Sequence, residues 1–407
     1  MKNIGILLPL NKHTGHFQLA LSIADSLLKH SDKFNYTVLY YDKEMLGWLN
    51  CLNDRCKTIQ IRHRTALHRF NTFANLVLHS RLLPMTGSGR MSDLHSSGID
   101  LLIMPFQGLF GFMNGIPYIV AVTSNLHRHQ SADHEGYPFY RRYIADIITR
   151  NSAEHSVVSV ADSRQGMIEL EKFYSIAEDK IRIIPHMPPG YIYDNRDMDT
   201  ETADNILSGY ALPDRYVFYP SQLSYYKNHV RLVQSLRLVE QRYGVRIPAV
   251  FAGQPAESHE EIKALLHKLD MTDQVVHLGF VSEKELVALY KKAVALVYPC
   301  LLGPTNIPPL EAMILGTPVA CSNLFSMPEQ VGDAALLFDP YSLEDMAEKI
   351  YLLWTDRNLR ERLVNKGYDR VKDMTQKNYA GQWESVIEDA LKIIEGTRFG
   401  PGGSING

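Results

Sequence analysis

The sequence predicts an α/β protein of two successive halves, each a parallel sheet covered by helices. Three observations carry this prediction. Short apolar runs alternate with amphipathic stretches of helical period along most of the chain. Between His186 and Ala211 the composition shifts to Pro188, Pro189, Gly190 and acids from Asp194 to Asp204, as at a domain boundary. The length of 407 residues exceeds one ordinary core.

In order, Asn3 to Leu8 reads as a strand, Leu10 to His16 as a loop, Phe17 to Lys29 as a helix and Tyr36 to Tyr41 as the next strand. This β-α-β opening predicts ligands at the carboxyl ends of parallel strands, so the loop holding Thr14, Gly15 and His16 is placed to touch a substrate. A dinucleotide fingerprint is absent. Leu101 to Met104 and Tyr118 to Val122 read as buried strands joined by a glycine-rich loop. A membrane span is disfavoured there by Pro105, Gly108, Gly111, Asn114 and Pro117. Helices at Tyr140 to Thr149 and Ser163 to Tyr174 flank a strand, Ser156 to Ala161, and Lys180 to Ile184 is another strand. An acidic solvated linker follows at 191–210. Asp197-Met-Asp199 within it is read as part of that linker and not as a metal site.

The second half, 211–376, restarts with a strand at Tyr216 to Tyr219, a polar loop through Gln222 and Lys227, and a helix from about Val230 to Tyr243. Strands at Pro248 to Gly253, Val275 to Leu278 and Ala335 to Phe338 alternate with helices at Glu260 to Leu269, Glu283 to Lys292 and Leu343 to Thr355. A long helix over 378–396 closes the chain, and residues 399–407 read as a disordered tail.

Composition narrows the function. A net charge of −3 gives no global attraction to nucleic acid or anionic membrane. Four cysteines without metal-finger spacing suggest reduced thiols in the cytoplasm, and the amino terminus is too short in apolar residues for a signal peptide. Local exceptions stand out. Residues 55–90 hold no Asp or Glu but seven Arg or Lys, with Leu67, Phe70, Phe73, Ala74 and Val77 at helical spacing. This is a candidate contact with the inner face of a membrane, or a core-packed helix with a solvated basic face. Nucleic acid is excluded because aromatics are not interleaved as stacking platforms. His127, just after the strand ending at Val122, is a candidate general base, or else a solvated loop histidine.

The most informative stretch runs from Tyr298 to Val319. Val294 to Tyr298 is a buried strand, 299–306 a turn-rich loop, and Ile307 to Leu315 a helix that Thr305 or Asn306 can cap. Pro308 and Pro309 suit its first turn, and Gly316 and Pro318 end it. A helix start carries partial positive charge and unpaired amides, so the loop can receive a phosphate oxygen. Glu311, one turn in, can accept from two ribose hydroxyls, and Lys227 is a compact cation suited to a diphosphate.

Residues 216–340 resemble the donor half of the retaining glycosyltransferases of family four, which have GT-B architecture. The resemblance rests on five blocks in the family's order: Tyr-Pro-Ser-Gln222-Leu-Ser-Tyr-Tyr-Lys227-Asn-His, Val276-His-Leu-Gly279-Phe-Val281, Leu286 to Val297, Gly303-Pro-Thr-Asn-Ile-Pro-Pro-Leu-Glu311-Ala-Met-Ile-Leu-Gly-Thr-Pro-Val, and Met327-Pro-Glu-Gln-Val-Gly-Asp-Ala-Ala-Leu-Leu-Phe-Asp-Pro. The amino half resembles the family only in its β-α organisation and in the segment from Ser163 to His186.

The resemblance implies two Rossmann-like β/α/β domains facing each other across a cleft. It implies hexosyltransferase-type transfer of a sugar, with retention and without metal or cofactor, from a GDP-, UDP- or dTDP-linked donor to a glycan or lipid-linked acceptor, in polysaccharide or lipopolysaccharide synthesis. On this chain Lys227 would bind the diphosphate, Glu311 the ribose, the backbone of Gly303, Pro304, Thr305, Asn306 and Ile307 the phosphate or sugar, and the chain near Val281 the base. The closing helix would return to the first domain, 1–190, whose loops around Gly15 and His127 would hold the acceptor. Three positions depart from the family. Gly303 stands where a sugar-binding glutamate is usual, Gln222 where an arginine is usual, and Thr123-Ser124 where a histidine and an acid are usual. Two other readings are a non-catalytic nucleotide-sugar-binding subunit and a same-fold sugar-nucleotide epimerase.

Overall fold

The computed structural model describes residues 1–9, 15–42, 56–61, 97–123, 125–129, 139–303 and 306–399. Thr14, Ser124, Pro304, Thr305, 400–407 and most of the basic stretch from 62 onward lie outside them. The chain divides into two compact units, one of Met1–Arg128, Tyr137–Met187 and Thr375–Gly407, the other of His129–Gly136 and Pro188–Met374.

Among the described residues the first unit holds a parallel sheet of seven strands: β1 (Asn3–Leu7), β2 (Asn35–Tyr40), β3 (Lys57–Gln60), β4 (Leu101–Met104), β5 (Tyr118–Val122), β6 (Val158–Ala161) and β7 (Ile181–Ile183). Their order is β3-β2-β1-β4-β5-β6-β7. Helices α1 (Gly15–His30), α2 (Phe110–Asn114), α3 (Phe139–Glu154) and α4 (Arg164–Tyr174) connect them. Ser163 caps α4 by accepting from the Gly166 amide. The central strands are apolar on both faces, with Ile4, Ile6, Leu101, Ile103, Ile119 and Val120 fully buried, as a sheet sandwiched between helices requires.

The second unit has a parallel sheet of β8 (Val217–Pro220), β9 (Ala249–Ala252), β10 (Val275–His277), β11 (Ala295–Tyr298), β12 (Val319–Ser322) and β13 (Leu336–Phe338), ordered β10-β9-β8-β11-β12-β13. Its helices are α5 (Gly190–Asp194), α6 (Thr200–Leu207), α7 (His229–Tyr243), α8 (His259–Lys268), α9 (Glu283–Lys292), α10 (Ile307–Leu315), α11 (Met327–Val331), α12 (Leu343–Thr355) and α13 (Arg357–Val371). The last helix, α14 (Gln376–Phe399), belongs to the first unit. It buries Trp383 and Ile387 there, Lys33 pairs with Glu384 and Glu388 at 3.4 and 2.8 Å, and Gln376 donates to Asp25 at 3.0 Å.

Each unit is therefore Rossmann-like, as expected, but several local expectations change. The stretch 191–210 is not a bare linker. Ile192, Ala203 and Leu207 join the core of the second unit, and Asp199 caps α6 by accepting from the Thr202 amide. The acidic run hid this because only one face of so short a helix needs to be apolar. The loop between β4 and β5 contains α2, ended by Gly115 in the left-handed region at φ 66. Strand β3 and helices α11 and α13 were not anticipated. β3 is a short edge strand, and α13 carries so many charges that its three buried positions, Leu363, Gly367 and Val371, leave little periodic signal. Among the described residues no helix is long and apolar enough to cross a membrane.

Candidate functional site

In a parallel sheet every strand delivers its following loop to the same edge. With the first four strands ordered 3-2-1-4, a crevice opens between the first and the fourth, because their connections leave to opposite faces. In the second unit those strands are β8 and β11, paired through Ala295 with Val217 and Leu296 with Phe218. The loop after β8 brings Gln222 and Lys227 to this edge, the loop and helix after β11 bring Gly303, Asn306, Ile307 and Glu311, and the turn after β10 brings half-buried Val281. The described donor-site candidates, far apart in sequence, thus share one edge of one sheet.

The two central loops are stitched together. Asn228, in the left-handed region at φ 63, donates its side-chain amide to the carbonyls of Pro299 and Pro340, both at 3.0 Å. The Leu301 amide donates to the Tyr226 carbonyl at 2.8 Å, and Tyr219 Oη donates to the Lys227 carbonyl at 2.7 Å. Lys227 Nζ donates to Tyr298 Oη at 3.0 Å and lies 5.0 Å from the Tyr226 ring centroid. Burial pushes the Tyr298 hydroxyl far above its usual range, so it remains a neutral phenol that orients the ammonium without neutralising it. His229, the first residue of α7, is buried with its ring 4.4 Å from that of Tyr219. Desolvation, aided by the nearby Lys227 charge, lowers it to about 3, so it stays neutral near pH 7. Gln222 is exposed, and its amide reaches Tyr226 Oη at 3.4 Å.

The start of α10 differs from a generic anion cradle. Pro308 and Pro309 have no N–H, and the Asn306 amide is already donated to Gln330 Oε1 at 3.1 Å. Of 307–309 only Ile307 keeps an amide, so a phosphate here depends heavily on Lys227 and the helix dipole. The expected side-chain cap is not formed. Asn306 occupies the cap position by backbone, but its Oδ1 accepts from Tyr298 Oη at 2.9 Å and its Nδ2 points to the Gly303 carbonyl at 3.4 Å. Gly316 ends the helix at φ 78, as expected.

Gly303 is set by this arrangement. Its φ is 138, which side chains rarely adopt, and a Cβ would lie 2.7 Å from Asn306 Oδ1. Gly303→Ala is expected to cost about 1–3 kcal/mol in stability. The additional change Asn306→Gly should recover only part of it, since the clash goes but the strained φ stays. Thermal unfolding of both variants checks this.

Glu311 lies on the buried side of α10, 6% exposed, and accepts a hydrogen bond from Tyr290 Oη of α9 at 2.7 Å. Desolvation pushes its carboxyl up to about 7, against the lowering effect of the Tyr290 bond. Charge on this residue is therefore poised near neutral pH.

In the first unit His16, the second residue of α1, has its ring centroid 6.2 Å from that of Phe106 in the loop after β4, and β1 and β4 are neighbours in the sheet. His127 lies in a short 3-10 turn, Leu126–Arg128, with its side chain 8% exposed. Its Nε2 is 3.0 Å from Tyr174 Oη and 3.5 Å from Asp146 Oδ1, which ties it to α3 and α4. Where the resembled family has its histidine and acid, Thr123 donates both its amide and its hydroxyl to Gln107 Oε1 at 3.2 Å.

Sequence reasoning missed Tyr290, Tyr298, Asn228 and Gln330 as contributors. The available signal was weak: a tyrosine as the last residue of a buried strand, an asparagine directly after the lysine, and a glutamine inside a motif valued for its other positions.

Residues 208–370 match the family model described as glycosyl transferases group 1. The chain is 25% identical over 282 residues to the serotype-specific mannosyltransferase WbdA of Escherichia coli, which covers 64% of this chain and 34% of that protein. The chain thus spans about a third of that relative's length. Among solved structures, a glycosyltransferase from Rickettsia africae ESF-5 superposes with a TM-score of 0.71 at 14% identity, covering 97% of this chain and 99% of that one. HepE of Anabaena in complex with UDP gives 0.70 at 13% identity, covering 96% and 100%. At such identities the structural likeness shows the fold alone.

Proposed function

We propose that the chain transfers a sugar from a nucleoside diphosphate sugar to a glycan or lipid-linked acceptor, with retention at the anomeric carbon, in synthesis of an O-antigen-like polysaccharide. One observation carries the reading: Lys227, the α10 start and Glu311 converge at the β8/β11 crevice within the segment that matches the group 1 transferases. The relation to a mannosyltransferase and the fold shared with a UDP complex support the substrate class.

In this reading Lys227 and the positive end of α10 stabilise the charge that develops on the diphosphate as the sugar–oxygen bond breaks. Glu311 holds the ribose, the turn at Val281 faces the base, and the α1 start with Gly15 and His16 serves the acceptor. His127 acts through its Tyr174 and Asp146 partners or not at all in the chemistry. With a lipid-linked acceptor the reaction belongs at the inner face of the membrane. The reading assigns no metal or cofactor, so activity should survive EDTA.

Thermal unfolding against millimolar UDP, GDP, dTDP, ADP and CDP tests the donor site. One nucleotide is expected to stabilise the protein selectively, by ~2.7 kcal/mol at a hundred times its dissociation constant. No shift with any of the five would remove the reading. The glycine at 303 and the uncharged Gln222 favour a second reading, a subunit that binds nucleotide sugar without turning it over. Release of several equivalents of nucleoside diphosphate per protein in the presence of an acceptor excludes it.

A further inference from the structure

We propose that Tyr298, Asn306 and Gln330 form a clasp that presets Lys227 and the start of α10 for the diphosphate, with Tyr298 and Gln330 as positioning residues. The inference rests on the donor site proposed above.

The clasp links Lys227 through Tyr298 and Asn306 to Gln330 of α11. Lys227 Nζ donates to Tyr298 Oη at 3.0 Å, and Tyr298 Oη donates to Asn306 Oδ1 at 2.9 Å. The Asn306 backbone is held on both sides by one carboxamide: its amide donates to Gln330 Oε1 at 3.1 Å, and its carbonyl accepts from Gln330 Nε2. Gln330 is itself anchored, because Arg370 of α13 donates to its carbonyl at 2.9 Å and also to that of Glu329. Tyr298 is 1% and Asn306 7% exposed, so these bonds form largely out of water and leave each group little freedom.

The arrangement also accounts for two oddities of the sequence. Asn306 does not cap α10 because its carboxamide is committed to Tyr298. Position 303 is glycine because that carboxamide fills the space where its Cβ would stand. The polar group next to the α10 start is thus supplied by residue 306 and braced by residue 330. Pre-ordering of this kind matters here because the prolines leave few amides to hold the anion, so the placement of Lys227 and the Ile307 amide decides affinity.

The probes are the nucleoside diphosphate that stabilises the wild-type chain and the nucleoside of the same base. Tyr298→Phe is expected to weaken diphosphate binding five- to twentyfold and Gln330→Ala three- to tenfold. Both should leave nucleoside binding within twofold of wild type, because the clasp faces the phosphates. The double variant should be no weaker than about twice the weaker single, as expected for members of one network. Equal losses for nucleoside and diphosphate would mean a merely structural role, and wild-type-like diphosphate binding in both variants would mean no role; either overturns the clasp. Should Tyr298→Phe fail to fold, Gln330→Ala, whose residue is half-buried on a short helix, decides the question alone. Failure of the wild type to bind any of the five nucleotides would instead overturn the donor reading itself.

Discussion

Lys227→Ala is expected to abolish the stabilisation by nucleoside diphosphate, with affinity falling about a hundredfold and the unliganded protein unfolding within a few degrees of wild type. The magnitude follows from the chemistry. A hydrogen bond from an ammonium to a phosphate oxygen is worth about 1.5–3 kcal/mol, and the α10 start has few amides to compensate. Stability should be spared, because the Lys227 backbone is held independently by Tyr219 Oη, and Tyr298 keeps its bond to Asn306. Lys227→Arg should recover only part of the affinity, since a planar guanidinium cannot reproduce the point contact with Tyr298. Calorimetric titration of the three proteins with the preferred nucleotide gives the answer. Affinity unchanged in Lys227→Ala would move the diphosphate away from the β8/β11 crevice.

Glu311 is expected to make donor binding and stability respond to pH in opposite directions. The folded carboxyl holds its proton up to about 7, whereas an ordinary glutamate releases it near 4.5. Between these values the folded state carries more protons than the unfolded one, so stability falls as pH rises through the window, by up to about 3 kcal/mol. Two ribose hydroxyls, however, are accepted best by an ionised carboxylate, both of whose oxygens accept and whose charge strengthens the bonds. Binding that requires the carboxylate should strengthen on the order of tenfold from pH 6 to pH 8. A nucleotide sugar is the proper probe, because its diphosphate has no ionisation of its own in this range. Glu311→Gln should flatten the pH dependence, weaken the donor at pH 8 and leave the unliganded protein more stable than wild type there. A wild-type affinity independent of pH, or donor binding by Glu311→Gln as tight as wild type at pH 8, would separate Glu311 from the ribose. The combination would make this carboxylate a site where stability is given up for function.

What the sequence determined by itself is the set of local decisions that chemistry makes within a few residues. Strands buried on both faces need continuous apolar runs, so β1, β8 and β11 were legible. Residues such as Pro308, Pro309 and Gly316 set the start and stop of α10 by backbone geometry alone, and its range matches the expectation. Lys227 and Glu311 could be singled out because each follows a strand at a helix junction, where parallel sheets place ligands.

The tertiary structure alone decided which groups meet. Tyr298 is seventy-one residues from Lys227 in sequence yet bonds to it, because strand order places β8 beside β11. The same pairing turned the Asn306 side chain away from the cap it could have formed, since a buried phenol close by offers a partner that the chain's own helix start does not match. The raised Glu311 carboxyl likewise follows from burial against α9, which helical spacing cannot reveal. Propensity acts over one turn, but desolvation and cross-loop hydrogen bonds are set by neighbours that only the packed sheet brings together.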